Sequence, residues 1–278
     1  FGSSFLSSMT QPVAADGGKD QFGHADQAKG YALYRPRYTS ELLGKVVTYA
    51  TERGAGRDLA VDVGCGTGQV TIPMAAHFAR VLGIDRSPKQ LESATQAPTV
   101  EYQAGDAYAL PCEDGTVDLL TIAQTMHWLD LDRFFAEVTR VLKPGTGVFA
   151  VLGYGICSVH PPEAQAVFHQ FYIDTLGGDK APGTPGCWWD CDRRLLDSQF
   201  AAVDFPFASV AREQVVDEQE MAVEGLEGYM RTMSAYRGML AAGAADPLPA
   251  VVQGLRRAAG DAPLRVSFPY FLILGAKA

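Results

Sequence analysis

The stretch Val61-Asp62-Val63-Gly64-Cys65-Gly66-Thr67-Gly68-Gln69 constrains the fold of this chain more than any other. The apolar run 59–63 reads as a strand buried on both faces, the pattern of a parallel sheet. It breaks into a glycine-rich turn that feeds a helical pattern from Gln69. Without a Cβ, glycines let the backbone turn sharply and approach a ligand closely. The helix start that follows presents N–H groups and the positive end of its dipole. A strand, such a turn and a helix make a nucleotide-type site at the carboxyl end of a first strand.

The segments that follow keep the same rhythm. Residues 81–84 form a second apolar run that ends in Asp85, and Ser87-Pro88 opens a helix with Ser87 as its expected N-cap. Residues 100–103 make a short third strand before the turn Gly105-Asp106-Ala107. Residues 117–123 form a fourth strand, whose tip delivers Gln124-Thr125-Met126-His127-Trp128 to the ligand crevice of a doubly wound sheet. An amphipathic helix over 131–142 stops at Lys143-Pro144-Gly145, and residues 148–152 are the fifth strand. Strict alternation of strand and helix predicts an α/β fold with right-handed crossovers. An acid at the tip of the second strand suits both hydroxyls of a ribose. The G-x-G-x-G spacing lacks the third glycine of the dinucleotide pattern G-x-G-x-x-G, which disfavours a nicotinamide oxidoreductase.

In order, Tyr31-x-x-Tyr34-Arg35-Pro36-x-Tyr38, Asp62-x-Gly64-Cys65-Gly66-x-Gly68, Ile84-Asp85-x-Ser87 and Gln124-x-x-His127-Trp128 resemble the class I S-adenosylmethionine-dependent methyltransferases. Within these, the chain is most similar to the small-molecule group that includes trans-aconitate methyltransferases. The resemblance runs from about residue 22 to the end. It implies a seven-stranded, mostly parallel sheet with a helical N-terminal lid and an insertion after the fifth strand. It also implies S-adenosylmethionine as cofactor and roles residue by residue. The backbones of Gly64, Cys65 and Gly66 would meet the methionine moiety, and Asp62 would organise the site. Asp85 would hold the ribose with Arg86 beside the adenosine, Asp106 and Ala107 would meet the adenine, and Ala123 or Gln124 would accept from the amino group. Tyr31 would join the cofactor side. Tyr34, Arg35, Tyr38, His127 and Trp128 would line the acceptor side.

The reading of the residues leaves alternatives beside these roles. His127 is either a packed histidine next to Trp128 or an active-site wall residue that orients an anion or acts as base. Trp128 suits a hydrophobic wall better than a cation–π partner for a sulfonium. The tyrosines before Pro36 either pack on the core or close over the site, and Arg35 or Arg37 can meet a carboxylate. The leading chemistry is carboxyl O-methylation of a small organic acid. Methylation at nitrogen, sulfur, carbon or a hydroxyl stays open, as does a non-catalytic protein that binds the cofactor.

Beyond the fifth strand the rhythm fails. Residues 153–200 read as a loop-rich insertion on the substrate side, Phe205-Pro206-Phe207 as a short strand, and 208–260 as a second substrate-side insertion. Within that second insertion, 221–239 and 250–259 carry helical patterns. A last apolar strand over 264–274 contains Pro269, which predicts an edge position or a bulge. At 278 residues the chain suits one methyltransferase domain from residue 21, behind an N-terminal segment, 1–20, expected to be disordered. The chain does not begin with Met. Met9 is either a native start behind cloning residues, or Phe1 onward is the remnant of a longer leader.

A net charge of −9 repels phosphate backbones, so no nucleic-acid partner is expected. Five cysteines at scattered spacing fit a reducing, cytoplasmic compartment, and Cys187 and Cys191 lack the further ligands a zinc site needs. No apolar run is long enough to span a bilayer, so no membrane partner is expected.

Overall fold

A computed structural model describes residues 34–278. Tyr31 and the 1–20 segment lie outside the described residues. Helix α1 (Ser40–Glu52) packs its Leu42, Leu43, Val46, Val47 and Ala50 inward, and the Thr39 hydroxyl caps it by accepting from the Leu42 N–H at 3.2 Å. The expected alternation then follows. It runs β1 (Leu59–Val63), α2 (Thr71–Met74), β2 (Arg80–Asp85), α3 (Pro88–Glu92), β3 (Val100–Ala104), β4 (Leu119–Ala123), a 3-10 turn (Met126–Trp128), α4 (Leu131–Val141) and β5 (Val148–Tyr154).

The doubly wound, mostly parallel sheet is present. Its order is β3-β2-β1-β4-β5-β8-β6, with β7 on the other side of β8. The order reverses between β1 and β4, so the carboxyl ends of these strands flank the crevice where ligands bind in open α/β sheets. The central strands are covered on both faces. Along β5, Val148, Ala150 and Leu152 join one hydrophobic cluster, with α1 and the later helices. Phe149 and Val151 join the other, with Phe134 and Val138 of α4. Such two-sided burial is why these strands read as unbroken apolar runs.

The sheet holds eight strands, one more than the expected seven. The extra one is short: β6 (Ser158–His160) pairs with β8 (Leu264–Ala276) just beyond the end of β5. The long partner of β8 is β7 (Ser209–Met221), not Phe205–Phe207. Its sequence, SVAREQVVDEQEM, is rich in charged residues because among the described residues β7 bonds a neighbour on one edge only and half its side chains face solvent. The 208–260 stretch is therefore not one insertion. It begins with a sheet strand and continues into α7 (Val223–Arg231), α8 (Ser234–Ala241) and α9 (Leu248–Ala259). Residues 153–200 likewise hold β6, α5 (Pro162–His169), a π-helical turn (Gln170–Thr175) and α6 (Arg193–Asp197).

Two local expectations are corrected. Pro269 sits in a central strand, not at an edge. Its carbonyl accepts from the Gly155 N–H at 3.1 Å, on the side where β5 has just ended at Tyr154 and β6 has not begun at Ser158. The N–H that proline lacks thus falls in a gap between two partners. Ser87 makes no side-chain capping bond, and its hydroxyl is buried without a partner. Asp85 holds the residue from the other side, its Oδ1 accepting from the Ser87 N–H at 2.9 Å.

Candidate functional site

The first half of the crevice is made of backbone. Gly64, Gly66 and Gly68 all adopt positive φ, at 67°, 55° and 93°, where an L side chain is strained. They differ in what lies beside them. A Cβ on Gly64 would fall 2.5 Å from the Thr125 hydroxyl, and one on Gly68 would strike the Tyr102 hydroxyl. A Cβ on Gly66 would meet only Gln90 Oε1, at 4.0 Å. Glycine is thus required at 64 and 68 by packing within the protein, while at 66 it leaves space over the backbone. Asp85, half-buried at the tip of β2, closes this turn, with Oδ2 accepting from the Gly66 N–H at 2.9 Å. An exposed backbone cradle with a carboxylate at its rim fits a nucleoside bearing ribose hydroxyls and an amino-acid tail.

Other predicted residues surround this cradle unevenly. Asp106 is exposed at the tip of β3, where its Oδ1 accepts from the Tyr108 N–H at 3.0 Å, and Ala107 is half-buried beside it. That loop is braced to α4, since Tyr108 Oη accepts from the Asp130 N–H at 2.7 Å and the Arg133 guanidinium lies 4.3 Å over the Tyr108 ring. Arg86 is exposed at the end of β2. Cys65 is buried, and burial foremost pushes its thiol up. Asp62 is sealed at 1% exposure, with its oxygens taken by the hydroxyls of Thr71 at 2.6 Å and Thr121 at 2.8 Å. Burial raises its pKa to about 6 against the pull of those two donors, with nearby Asp85 adding to the rise. Asp62 therefore ties β1, β4 and α2 together beneath the turn. Gln124 has φ of 50°, an uncommon conformation for a side-chain-bearing residue, and its amide donates to the Tyr154 carbonyl at 2.9 Å.

The second half is made of side chains. His127 and Trp128 sit on the 3-10 turn after β4, with ring centroids 5.6 Å apart; Trp128 is half-buried. His127 is 8% exposed, and its Nδ1 is buried with no hydrogen-bond partner. An orphaned buried polar atom costs about 1–3 kcal/mol. Burial holds the imidazole pKa well below its usual value, and the charges of Arg193 and Arg35 lower it further. His127 is consequently neutral at neutral pH.

The two arginines come from distant parts of the chain. Arg35 Nε donates to the Thr232 hydroxyl at 2.7 Å, Nη2 donates to the Thr232 carbonyl at 3.1 Å, and the guanidinium lies 5.2 Å over the Tyr229 ring. Its neighbours place the described part of the expected lid on α7. The Tyr34 ring packs against Gly228, and the Tyr38 ring lies 6.5 Å from Tyr154 and 6.0 Å from Tyr270. Arg193 opens α6, which packs against the 3-10 turn that carries His127. Its Nε donates to the Tyr172 hydroxyl at 3.0 Å and its Nη2 to Asp197 at 2.8 Å, while the guanidinium lies 5.0 Å over the Trp189 ring. Tyr229, fully buried, has its phenol pKa raised well above normal by burial foremost, with the two arginine charges pulling the other way.

Sequence reasoning missed Arg193, Trp189's part in holding it, and Tyr229. Arg193 stands beside Arg194, which pairs with Asp192 at 2.6 Å on the surface, and nothing in the pair Arg-Arg says which one turns inward. The five cysteines are free thiols; Cys187 Sγ donates to the carbonyls of Lys180 and Trp189. Among the described residues no cluster suits a metal ion, and no helix is long and apolar enough to cross a membrane.

Comparison with known proteins shows the family. A sequence-family profile described as a methyltransferase domain matches residues 61–151, which run from the glycine turn through β5. A Dictyostelium discoideum protein, provisionally named a methyltransferase, is 31% identical over 276 residues, 97% of this chain and 100% of that one. An O-methyltransferase of Aspergillus sclerotiorum is 32% identical over 185 residues, 58% of this chain and 70% of that protein. A solved structure from Anaeromyxobacter dehalogenans, provisionally described as a type II methyltransferase, is 34% identical with a TM-score of 0.71, covering 87% of this chain and 98% of that one.

Proposed function

The chain belongs to the class I S-adenosylmethionine-dependent methyltransferases, and from that premise we propose that it methylates a carboxylate oxygen of a small organic acid. The observation that carries this reading is the neutral, buried His127 with the charges of Arg35 and Arg193 bearing on it. Two guanidiniums, that of Arg193 paired with Asp197, make that side of the crevice attractive to an anion. They also make His127 a poor proton sink, because protonating it would add a third positive charge in a buried place. An alcohol, phenol or amine acceptor must lose a proton and needs a base. A carboxylate has none to lose. The oxygen chemistry of the Aspergillus relative is in keeping with this, and so is the resemblance to the trans-aconitate methyltransferase group.

S-adenosylmethionine supplies an electrophilic methyl group on a sulfonium. We assign its hold to the Gly64, Cys65 and Gly66 backbones on the methionine side, Asp85 at the ribose, Asp106 and Ala107 at the adenine, and the Ala123–Gln124 backbone at the amino group. Asp62 supports these from below, and Arg86, exposed at the end of β2, stands beside the adenosine. The protein's own work is to hold the acceptor oxygen in line with the methyl group. Arg35, anchored on Thr232, orients the acceptor, and His127 and Trp128 form the wall beside it. Acceptor choice belongs to the segments 153–200 and 222–260 and to the lid residues Tyr34 and Tyr38. A net charge of −9 disfavours a nucleic-acid acceptor.

The test is calorimetric titration with S-adenosylmethionine, then a screen for S-adenosylhomocysteine release over carboxylic acids, phenols, amines and thiols. A base-labile methyl ester from a carboxylic acid is the expected product. Turnover of phenols or amines with no carboxylate active would overturn the carboxylate reading and leave the family standing.

A further inference from the structure

Three polar groups on the acceptor side lack what a bound anion would supply. His127 Nδ1 and Trp189 Nε1 are buried without a hydrogen-bond partner. Arg193 spends Nε on Tyr172 and Nη2 on Asp197, and neither bond uses its Nη1. Indole Nε1 and guanidinium Nη1 are donors only, and a neutral imidazole can present Nδ1–H as a third. The three are carried by adjoining elements. The Arg193 guanidinium stacks 5.0 Å over the Trp189 ring, and α6 packs on the turn that carries His127. Unspent donors on adjoining elements suit a carboxylate or similar oxyanion.

Arg193 is also unusually fixed for such a group. It is nine-tenths buried and opens a helix whose N-cap is Asp192. One edge of its fork is tied by an ion pair to Asp197 at 2.8 Å, and Tyr172 Oη donates to the other oxygen of Asp197 at 2.6 Å while accepting from Arg193. The closed triangle Arg193–Asp197–Tyr172 fixes the plane of the guanidinium.

We propose that Arg193 is a specificity-determining residue of the acceptor site, offering its remaining edge to an anionic group of the acceptor, with Trp189 and His127 as further donors and with Asp197 and Tyr172 as its positioning residues. This rests on the carboxylate reading above and names a residue that holds the acid. The chain's three tryptophans are Trp128, Trp188 and Trp189, so intrinsic emission reports on this side of the crevice.

The experiment is to titrate the full chain, saturated with S-adenosylhomocysteine, with benzoate, malonate and citrate while following tryptophan emission, with methyl benzoate as uncharged control. At least one of the three acids should give a saturable change in the wild type. Arg193→Gln should weaken that response about 10-fold or more, as expected when a charged hydrogen-bond donor is removed. Arg193→Lys, which keeps the charge but not the fork, should fall between. Affinity for S-adenosylmethionine should stay within about 2-fold in both variants, and for any acid that turns over KM should rise more than kcat falls. A wild-type acid response in Arg193→Gln overturns the proposal, as does the absence of a response to all three acids in the wild type. If Arg193→Gln does not fold, an unchanged response in Arg193→Lys overturns it. Failure of the carboxylate reading looks different: Arg193-dependent acid binding persists while only other acceptors are methylated.

Discussion

The two halves of the crevice share one sheet edge but are assembled by different means. On the proposed cofactor side the contacts of the two buried or half-buried acids are local or between adjacent strands. Asp85 bonds the backbone of Gly66 and of Ser87, 19 and 2 residues away. Asp62 reaches Thr71 nine residues on and Thr121 on the neighbouring strand. The groups assigned to the cofactor there are mostly backbone, so the constraint falls on φ and on missing Cβ atoms. On the acceptor side Arg35 meets Thr232, 197 residues away, and Arg193 reaches back to Tyr172 from another helix. The groups assigned to the acceptor there are side chains carried by segments far apart in the sequence. A common reaction with varied acceptors is what such a division permits.

The sharpest way to break the comparison is Asp85→Ala. If the cofactor half works through one carboxylate on ribose hydroxyls, S-adenosylmethionine affinity should fall roughly 100-fold or more by calorimetry, since charged hydrogen bonds are worth about 1.5–3 kcal/mol each. Binding of carboxylic acids on the other side should change little. Retained cofactor affinity would remove Asp85 from the role assigned to it.

A matched glycine pair separates packing from binding inside the cofactor half. Gly64→Ala places a methyl 2.5 Å from the Thr125 hydroxyl at a φ of 67°, so it should destabilise the fold by about 2–4 kcal/mol in thermal unfolding. Gly66→Ala meets only the conformational penalty, about 1–2 kcal/mol. Its methyl enters the open space over the turn, and cofactor affinity should fall about 10-fold for a clash of that size. Equal effects of the two on stability and affinity would contradict the assignment of that space.

Arg35→Ala addresses the other half. It removes both bonds to Thr232 and the stacking on Tyr229. Acceptor KM should rise about 10-fold for loss of a charged contact while cofactor affinity stays within a few-fold. A parallel loss of cofactor affinity would show that the lid serves both halves.

The same division explains what the sequence made legible. The glycine turn, Asp85 and the strand tips could be read because a positive φ or a buried parallel strand demands particular residue types in a short window. The alternation from β1 to β5 was visible for that reason. β7 was hidden, because an edge strand with one solvated face carries the charge pattern of a helix and is defined only by its partner β8. Pro269 suggested an edge because the gap between β5 and β6 that accommodates it depends on two other segments. Arg193 and Arg194 are chemically identical in the sequence, and only the packing of α6 distinguishes the anchored guanidinium from the exposed one.

The smallest expected effect, His127→Asn, tests whether the acceptor half contains a base. In the folded chain the imidazole pKa lies well below 6.5, with burial as the main cause and the two arginines adding to it. In the unfolded chain a histidine takes up its proton near pH 6.5. Below that pH the unfolded state binds more protons than the native one, so His127 makes stability fall as pH falls, by about 1.4 kcal/mol per unit while the two states differ by one proton. Denaturant titrations between pH 5 and 8 should show that slope in the wild type, and it should be smaller in His127→Asn. Activity should behave differently. If the acceptor is already a carboxylate, the variant loses a donor and a wall surface but no proton-transfer step, and kcat should fall only a few-fold, with an unchanged pH profile above neutrality. General-base catalysis is worth about 10²–10⁴-fold. A loss of that size, recovered at high pH as the acceptor ionises by itself, would make His127 a base and move the reaction to a hydroxyl or amine acceptor.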